Sequence, residues 1–148
     1  MNYYGTSRTN YFHVTDEAKF AELMAGLDGG EGEIEDFTEK DKDGRLLHGF
    51  GCHNGNVEFY PRDKDGELDF ENPSFDTFLN EIQAILPPDE CFVFMESGAE
   101  GLRYVAGVTT IVTPTEIKTF DIRTMTMNYV AQHFKEKGIE PQPLRLEY

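Results

Sequence analysis

The sequence predicts a single α+β domain, an antiparallel sheet of six to seven strands with three helices lying mostly on one face. Two apolar runs, at 91–95 and 102–112, flank a glycine-bounded loop at 97–101 and predict a β-hairpin near the middle of the sheet. Three other segments repeat apolar residues at helical spacing. Short strands with turn signals follow each of the first two helices, which indicates hairpins rather than a parallel sheet.

The first half begins with a strand and an amphipathic helix. Residues 10–14 predict the strand, and Thr15 or Asp16 predicts the helix N-cap because either side chain can accept a backbone N–H bond. The glycine pair at 29–30 predicts the end of the helix. One apolar stripe is formed by Phe20, Leu23, Met24 and Leu27.

Three strands follow this helix. Residues 33–38 and 45–52 predict two strands joined by a turn at 41–44. The Asn-Gly pair at 54–55 is typical of a tight hairpin turn, because both residues tolerate positive φ. A returning strand is therefore predicted at 57–60.

The second half has a similar order. A second helix opens at Pro73-Ser74 and ends before Pro87-Pro88, and its apolar stripe is formed by Phe75, Phe78, Leu79 and Ile82. The central hairpin comes next, followed by a strand at 116–122. A third helix is predicted at 124–138, before an extended tail, and it carries Met127, Val130, Ala131 and Phe134.

The similar order supports the hypothesis of a degenerate αβββ duplication within one domain that spans residues 1–148. The half-repeats are 16–62 and 74–122, because the apolar residues of the two helices superpose at one constant offset. With or without a duplication, the same architecture is expected.

The charge is the most unusual property of the sequence. It contains 28 Asp and Glu against 13 Lys and Arg, a formal net charge of -15. Such a field repels nucleic acid and anionic membranes, and it favours a basic partner or high solubility. The acidity is uneven, because residues 1–74 contain 17 acidic and 7 basic residues.

Nothing in the sequence predicts export or membrane insertion. The longest apolar run is far shorter than the ~18 residues of a membrane span, and no signal peptide is recognised. Two cysteines without a regular spacing do not make a disulfide framework. We expect a cytoplasmic protein with reduced cysteines.

Two Asp-Lys-Asp-Gly sequences, at 41–44 and 63–66, resemble the start of a calcium loop. The first lacks the acid required at the last ligand position, where Phe50 stands, and the second has Pro61 in place of the first ligand. Both are better interpreted as turns with glycine at a positive-φ position.

Cys52 and His48 would share one face of a strand, which suggests a metal site or a nucleophile with its base. A second cysteine pair is missing, and the many carboxylates nearby would raise the pKa of a thiol. We therefore expect no metal, no cofactor and no catalytic residue, and a small enzyme around these two residues is the weakest alternative.

The acidic clusters at 28–43 and 63–71 suggest a different function. Carboxylates at alternate residues of an extended strand repeat about every 6.6–6.8 Å, close to the ~7 Å step between phosphates on one DNA strand. A rigid sheet that holds such carboxylates could therefore occupy the nucleic-acid groove of a basic protein. The candidate partner-binding residues are Glu31, Glu33, Glu35, Asp36, Asp63, Asp65, Glu67 and Asp69.

Three segments carry a resemblance to known proteins: 10–20 (NYFHVTDEAKF), 47–51 (LHGFG) and 96–107 (ESGAEGLRYVAG). They resemble segments of small acidic proteins from bacterial mobile elements. Antirestriction and anti-CRISPR proteins come from such elements and are often small and acidic. The resemblance implies an inhibitor but transfers no functional residue.

The sequence therefore predicts a non-enzymatic acidic inhibitor, encoded by a phage or plasmid, that acts by DNA mimicry on a host defence nuclease. The alternative is a small-ligand or protein-binding accessory module whose acidity serves only solubility.

Overall fold

A computed structural model of the chain describes residues 4–146. Six strands form one antiparallel sheet in the order β3-β4-β1-β6-β7-β8, and β2 pairs with β5 in a separate ribbon. The α+β class and the predicted strand count are confirmed. The ends of the predicted domain, 1–3 and 147–148, lie outside the described residues. In chain order the elements are β1 (Tyr4–Thr9), α1 (Glu17–Ala25), β2 (Leu27–Asp28), β3 (Ile34–Lys40), β4 (Leu46–His53), β5 (Glu58–Phe59), α2 (Phe75–Ala84), β6 (Phe92–Glu100), β7 (Tyr104–Val112), β8 (Ile117–Asp121) and α3 (Ile122–Glu136).

The β6–β7 hairpin lies near the middle of the sheet, as predicted. Its register is continuous along both strands. The turn is confined to 101–103, with Gly101 at positive φ, so the predicted loop at 97–101 is too long. Residues 97–100 belong to β6 because β1 pairs with that part of the strand and supplies its hydrogen-bond partners.

Helices α1 and α2 cover one face of the sheet with a largely aromatic core. Directly paired residues of an antiparallel sheet point to the same face, and Phe92 and Val112 are such a pair, both fully buried. The ring of Phe78 in α2 lies 6.0 Å from the ring of Phe92. Asp16 and Ser74 cap the two helices by accepting backbone N–H bonds, as predicted.

Helix α3 lies against the opposite face. Gly107 and Thr110 are three residues apart on β7, so they point to opposite faces, and Thr110 is on the buried one. A Cβ atom added at Gly107 would come within 2.9 Å of the Ile122 side chain in α3. Two of the three described helices therefore share one face, in agreement with the prediction.

Strand β1 replaces the strand predicted at 10–14, and that prediction is wrong. Its sequence, YGTSRT, has no apolar alternation, yet three small residues of β1 face the core between β4 and β6. Thr9, one of them, accepts a bond from Phe50 N and donates one to Asn10 O. The hydroxyl group of Thr9 is thus satisfied in the central strand, whereas the buried Ser7 Oγ has no hydrogen-bond partner among residues 4–146.

The Asn-Gly pair at 54–55 does not lead into a hairpin, so that prediction is also wrong. Asn54 has a φ of 57°, as the turn chemistry requires, but both sides of β4 are already paired with β3 and β1. The returning strand β5 therefore pairs with β2. Because β2 follows immediately, α1 ends at Ala25 rather than at the predicted glycine pair.

Helix α3 begins two residues earlier than predicted, because Asp121 caps it by accepting a bond from Thr124 N. No described residue of this helix is buried, although Val130 and Phe134 are half-buried. The apolar stripe predicted for α3 does not form a core face.

The duplication stays a hypothesis. Each half contains a helix followed by a hairpin, β3–β4 in the first half and β6–β7 in the second. However, β3 is an edge strand whereas β6 is internal, so the two hairpins have unequal places in the sheet.

Candidate functional site

Strand β3 forms one edge of the main sheet and carries part of the predicted acidic surface. Glu35 pairs with Gly51 and Asp36 with Phe50, whose ring lies in the core. Asp36 therefore points to the helix-covered face and Glu35 to the opposite face. Both side chains are exposed. The carboxylates of this edge point to both sides of the sheet rather than forming one row.

The segment at 63–71 is a loop and not an extended strand. Asp63 accepts bonds from the backbone N–H groups of Asp65 and Glu67, at 2.8 and 3.1 Å, and Gly66 has positive φ. Asp69 in the same way accepts a bond from the N–H of residue 71. The regular row of carboxylates that an extended segment would give is therefore not formed.

The turn at 41–44 is built in the same way. Asp41 Oδ1 accepts bonds from the N–H groups of Asp43 and Arg45, at 2.8 and 2.9 Å, and Gly44 has positive φ. Both Asp-Lys-Asp-Gly sequences are turns, which confirms that interpretation. In each, the carboxylate that opens the turn is engaged by the backbone.

A short ribbon, whose pairing the sequence does not predict, brings Glu58 beside the acidic cluster at 28–43. Asp28 of β2 lies directly opposite Glu58 of β5. Tyr60 donates a hydrogen bond to Glu58 at 3.1 Å, and its ring lies 5.1 Å from that of Phe70, beside the acidic loop. The bond to Glu58, then burial, then the negative charges of Glu58 and Asp28 raise the pKa of the Tyr60 hydroxyl.

We call the acids of this region the acidic band. Among residues 4–146, none of its carboxylates forms an ion pair. The nearby Arg62 instead pairs with Glu22 at 3.3 Å and donates to the Gly66 carbonyl. The band is therefore a region of excess negative charge on ordered backbone. Its members are Asp28, Glu31, Glu33, Glu35, Asp36, Glu58, Asp63, Asp65, Glu67 and Asp69.

Cys52 and His48 are not brought together. They are four residues apart on β4, which spans about 13 Å of extended chain. The buried Cys52 thiol lies 3.7 Å from the Gly29 carbonyl, and burial, followed by the charges of nearby carboxylates, raises its pKa. His48 bonds to Glu17 at 2.7 Å and packs against Phe20. This geometry gives no support to a thiolate nucleophile with a histidine base.

His13 is the centre of a charged cluster that the sequence analysis missed. Its Nδ1 lies 2.8 Å from Glu90 and its Nε2 lies 2.8 Å from Asp41. A neutral imidazole has only one N–H group, so two bonds to carboxylates require the imidazolium form. Burial lowers the pKa of His13, but the bonds to Glu90 and Asp41 outweigh burial and the net pKa is raised.

Within the described part of the chain, no group of three or more His, Cys, Asp or Glu residues could hold a metal ion. Over the same residues, no helix has the length and apolar character needed to cross a membrane. No protein-family model, curated protein or solved structure is significantly similar to this chain. The functional assignment therefore depends on the charge and geometry described above.

Proposed function

We propose that this protein is a non-enzymatic acidic inhibitor that binds the nucleic-acid groove of a basic cytoplasmic protein. The most suitable partner is a host defence nuclease, such as a CRISPR effector or a restriction enzyme, and the inhibitor would be encoded by a phage or plasmid. The observation that supports this most directly is the acidic band, whose ten carboxylates have no ion-pair partner within residues 4–146.

The mechanism is competition for cations. A protein that grips DNA lines its groove with Lys and Arg, which displace the counterions of the phosphates. The acidic band offers the same groups a dense set of carboxylates, so association is fast at low salt and weakens as salt rises. Because the loop at 63–71 begins with a tight turn, its carboxylates do not repeat at the spacing of DNA phosphates. The proposed mimicry of DNA therefore relies on the density of negative charge.

The sheet edge suggests how the band enters a groove. Glu35 and Asp36 point to opposite faces of β3, and β3 is paired along its length with β4, which holds it in place. An edge with acids on both sides suits a groove with basic side chains on two walls. A duplex likewise presents a phosphate backbone to each wall of such a groove.

The charge-reversal test compares two triple variants of equal net charge. The first changes Glu33, Glu35 and Glu58 to lysine; it leaves Asp63 and Asp69 intact because their carboxylates accept backbone N–H bonds. The control changes exposed acids outside the band, with substitutions Asp89→Lys, Glu116→Lys and Glu140→Lys. Each immobilised variant is used to capture proteins from a bacterial lysate at several salt concentrations.

The band variant is expected to lose the basic proteins that the wild type captures at low salt, whereas the control keeps them. If both variants capture the same proteins as the wild type, the acidity serves only solubility and the accessory-module alternative is preferred. Equal loss in both variants would mean that overall charge, and not the band, is responsible.

A further inference from the structure

Helix α3 packs less closely against the rest of the protein than α1 and α2 do. It has 15 residues, and none of them is buried. Tyr129 is 73% exposed, Met125 56% and Ile122 51%. These residues follow a spacing of three and four, so they form one stripe along the helix. An isolated helix of this length is marginal in water, and most helical stability comes from packing of an apolar face.

The stripe borders two open cavities. Ile122 packs over Gly107 of the sheet, where an added Cβ atom would come within 2.9 Å of the Ile122 side chain, and both residues line each of the two cavities. The first has a volume of about 410 Å³; Met95, Phe120 and Met125 line it together with hydroxyl residues and the charged Arg8 and Glu96. The second, of about 430 Å³, reaches Leu102 and Leu146. Stripe and cavities together form one surface in which exposed apolar residues predominate over two acidic and two basic lining residues.

The net charge around α3 indicates which kind of partner can bind to this surface. Residues 122–148 contain three acidic and four basic residues, whereas residues 1–121 contain 25 acidic and nine basic ones. The basic partner proposed above gains no electrostatic attraction from this surface, because the surface has no excess of negative charge. Two copies of this chain, which repel each other elsewhere, can approach here without a local excess of negative charge.

We propose that a second copy of the chain covers the apolar surface of α3, forming a two-fold dimer. In an isologous interface the same patch meets itself, so the two α3 helices lie side by side in opposite directions. The end that carries Lys135 and Lys137 then lies beside the end that begins at Asp121, and the helix dipoles are favourably opposed. The two acidic bands lie at the far ends of the dimer, because β3 and β8 are opposite edges of the sheet.

Sedimentation velocity of the full chain, from low micromolar to several hundred micromolar, tests this proposal. The wild type is expected to show a concentration-dependent dimer. Met125→Glu is expected to weaken the dimer by about 30-fold or more, because a buried charge enters the interface twice. Ala131→Glu, which adds the same charge on the exposed opposite side of α3, serves as the control and is expected to dimerise normally.

A second variant keeps the test informative if Met125→Glu disturbs the helix. Tyr129→Ala removes apolar surface while favouring helix, and it is also expected to weaken the dimer. A wild type that stays monomeric at all concentrations overturns the proposal. The proposal is also overturned if neither Met125→Glu nor Tyr129→Ala weakens the dimer. It is likewise overturned if Ala131→Glu weakens the dimer as much as Met125→Glu does.

Salt separates this proposal from the proposed function. Added salt screens the repulsion between two acidic chains, so the dimer is expected to tighten or stay constant. Binding of a basic partner by the acidic band is expected to weaken in the same series. Each proposal can therefore fail without the other.

Discussion

The two edges of the main sheet carry opposite kinds of surface. The β3 edge exposes Glu35 and Asp36, which point to both faces and have no ion-pair partner within residues 4–146. The β8 edge exposes Phe120 and leads into α3, which exposes the apolar stripe of Ile122, Met125 and Tyr129 and has a local charge close to neutral. Five strand spacings, about 24 Å, separate the edges. One sheet thus carries an acidic surface at one edge and an exposed apolar surface at the other, and we propose a different partner for each.

The helices show the same contrast. Helix α2 buries Phe78, Leu79 and Ile82 against the sheet, whereas α3 buries none of its residues. Both helices have apolar residues at helical spacing and an N-cap that accepts a backbone bond. A stripe in the sequence therefore predicts a helix more reliably than it predicts what the helix packs against.

The largest expected difference between the two faces is in core packing. Phe78→Ala is expected to lower the free energy of unfolding by about 3–5 kcal/mol, because a fully buried ring that contacts Phe59, Phe75 and Phe92 is replaced by a cavity. Phe120→Ala, on the open face, is expected to cost less than about 1 kcal/mol. Urea denaturation measures both, and equal losses would contradict the assignment of the core to the α1–α2 face.

The helix caps give a smaller contrast. Asp16→Ala is expected to lower the free energy of unfolding by about 1 kcal/mol, because α1 packs into the core and its loss is felt globally. Asp121→Ala removes an equivalent bond from α3, and at low micromolar protein concentration it is expected to fray that helix without shifting the global transition. Circular dichroism measures the helix content, and urea denaturation measures the free energy of unfolding. A loss of unfolding free energy in Asp121→Ala as large as that in Asp16→Ala would mean that α3 is part of the cooperative core.

The smallest effect concerns the His13 cluster, which connects the β3–β4 turn to the start of β6. Asp41, Glu90 and Arg45 face this imidazole, and its folded pKa is raised above its ordinary value of 6.5. A raised pKa stabilises the fold fully below the unfolded pKa, and the stabilisation is lost as pH rises through the folded pKa. The stability advantage of the wild type over His13→Gln is therefore expected to be largest in mild acid, where the imidazole is protonated and Asp41 is still ionised, and to shrink towards alkaline pH. An advantage that grows from mild acid to alkaline pH would contradict the imidazolium assignment.

The elements that the sequence predicts most directly are those whose apolar side chains meet the core, although α3, which buries none of its residues, is also predicted. α1, α2 and the β6–β7 hairpin follow directly from apolar spacing. β1 was missed because its core-facing residues, such as Thr9, are small and polar and depend on partners supplied by distant strands. The Asn-Gly turn was misread because local turn chemistry does not reveal that both sides of β4 are occupied.

The acidic surface was predicted only in part. The exposed acids of β3 and of the loop at 63–71 were recognised from composition, but Glu58 was not, because its position opposite Asp28 depends on the β2–β5 pairing. The expected regular row failed for a local reason: Asp63 and Gly66 close a turn in place of an extended strand. Spacing between charges depends on backbone conformation, which charge patterns alone do not determine.

Displacement by duplex DNA tests the acidic band most directly. A basic protein captured at low salt on the immobilised wild-type chain is washed with increasing amounts of a short DNA duplex. If the band occupies the nucleic-acid groove, the duplex is expected to release the captured protein completely, and a protein already saturated with duplex is expected not to bind. Simultaneous binding of the captured protein to the duplex and to this chain would contradict the proposed inhibition.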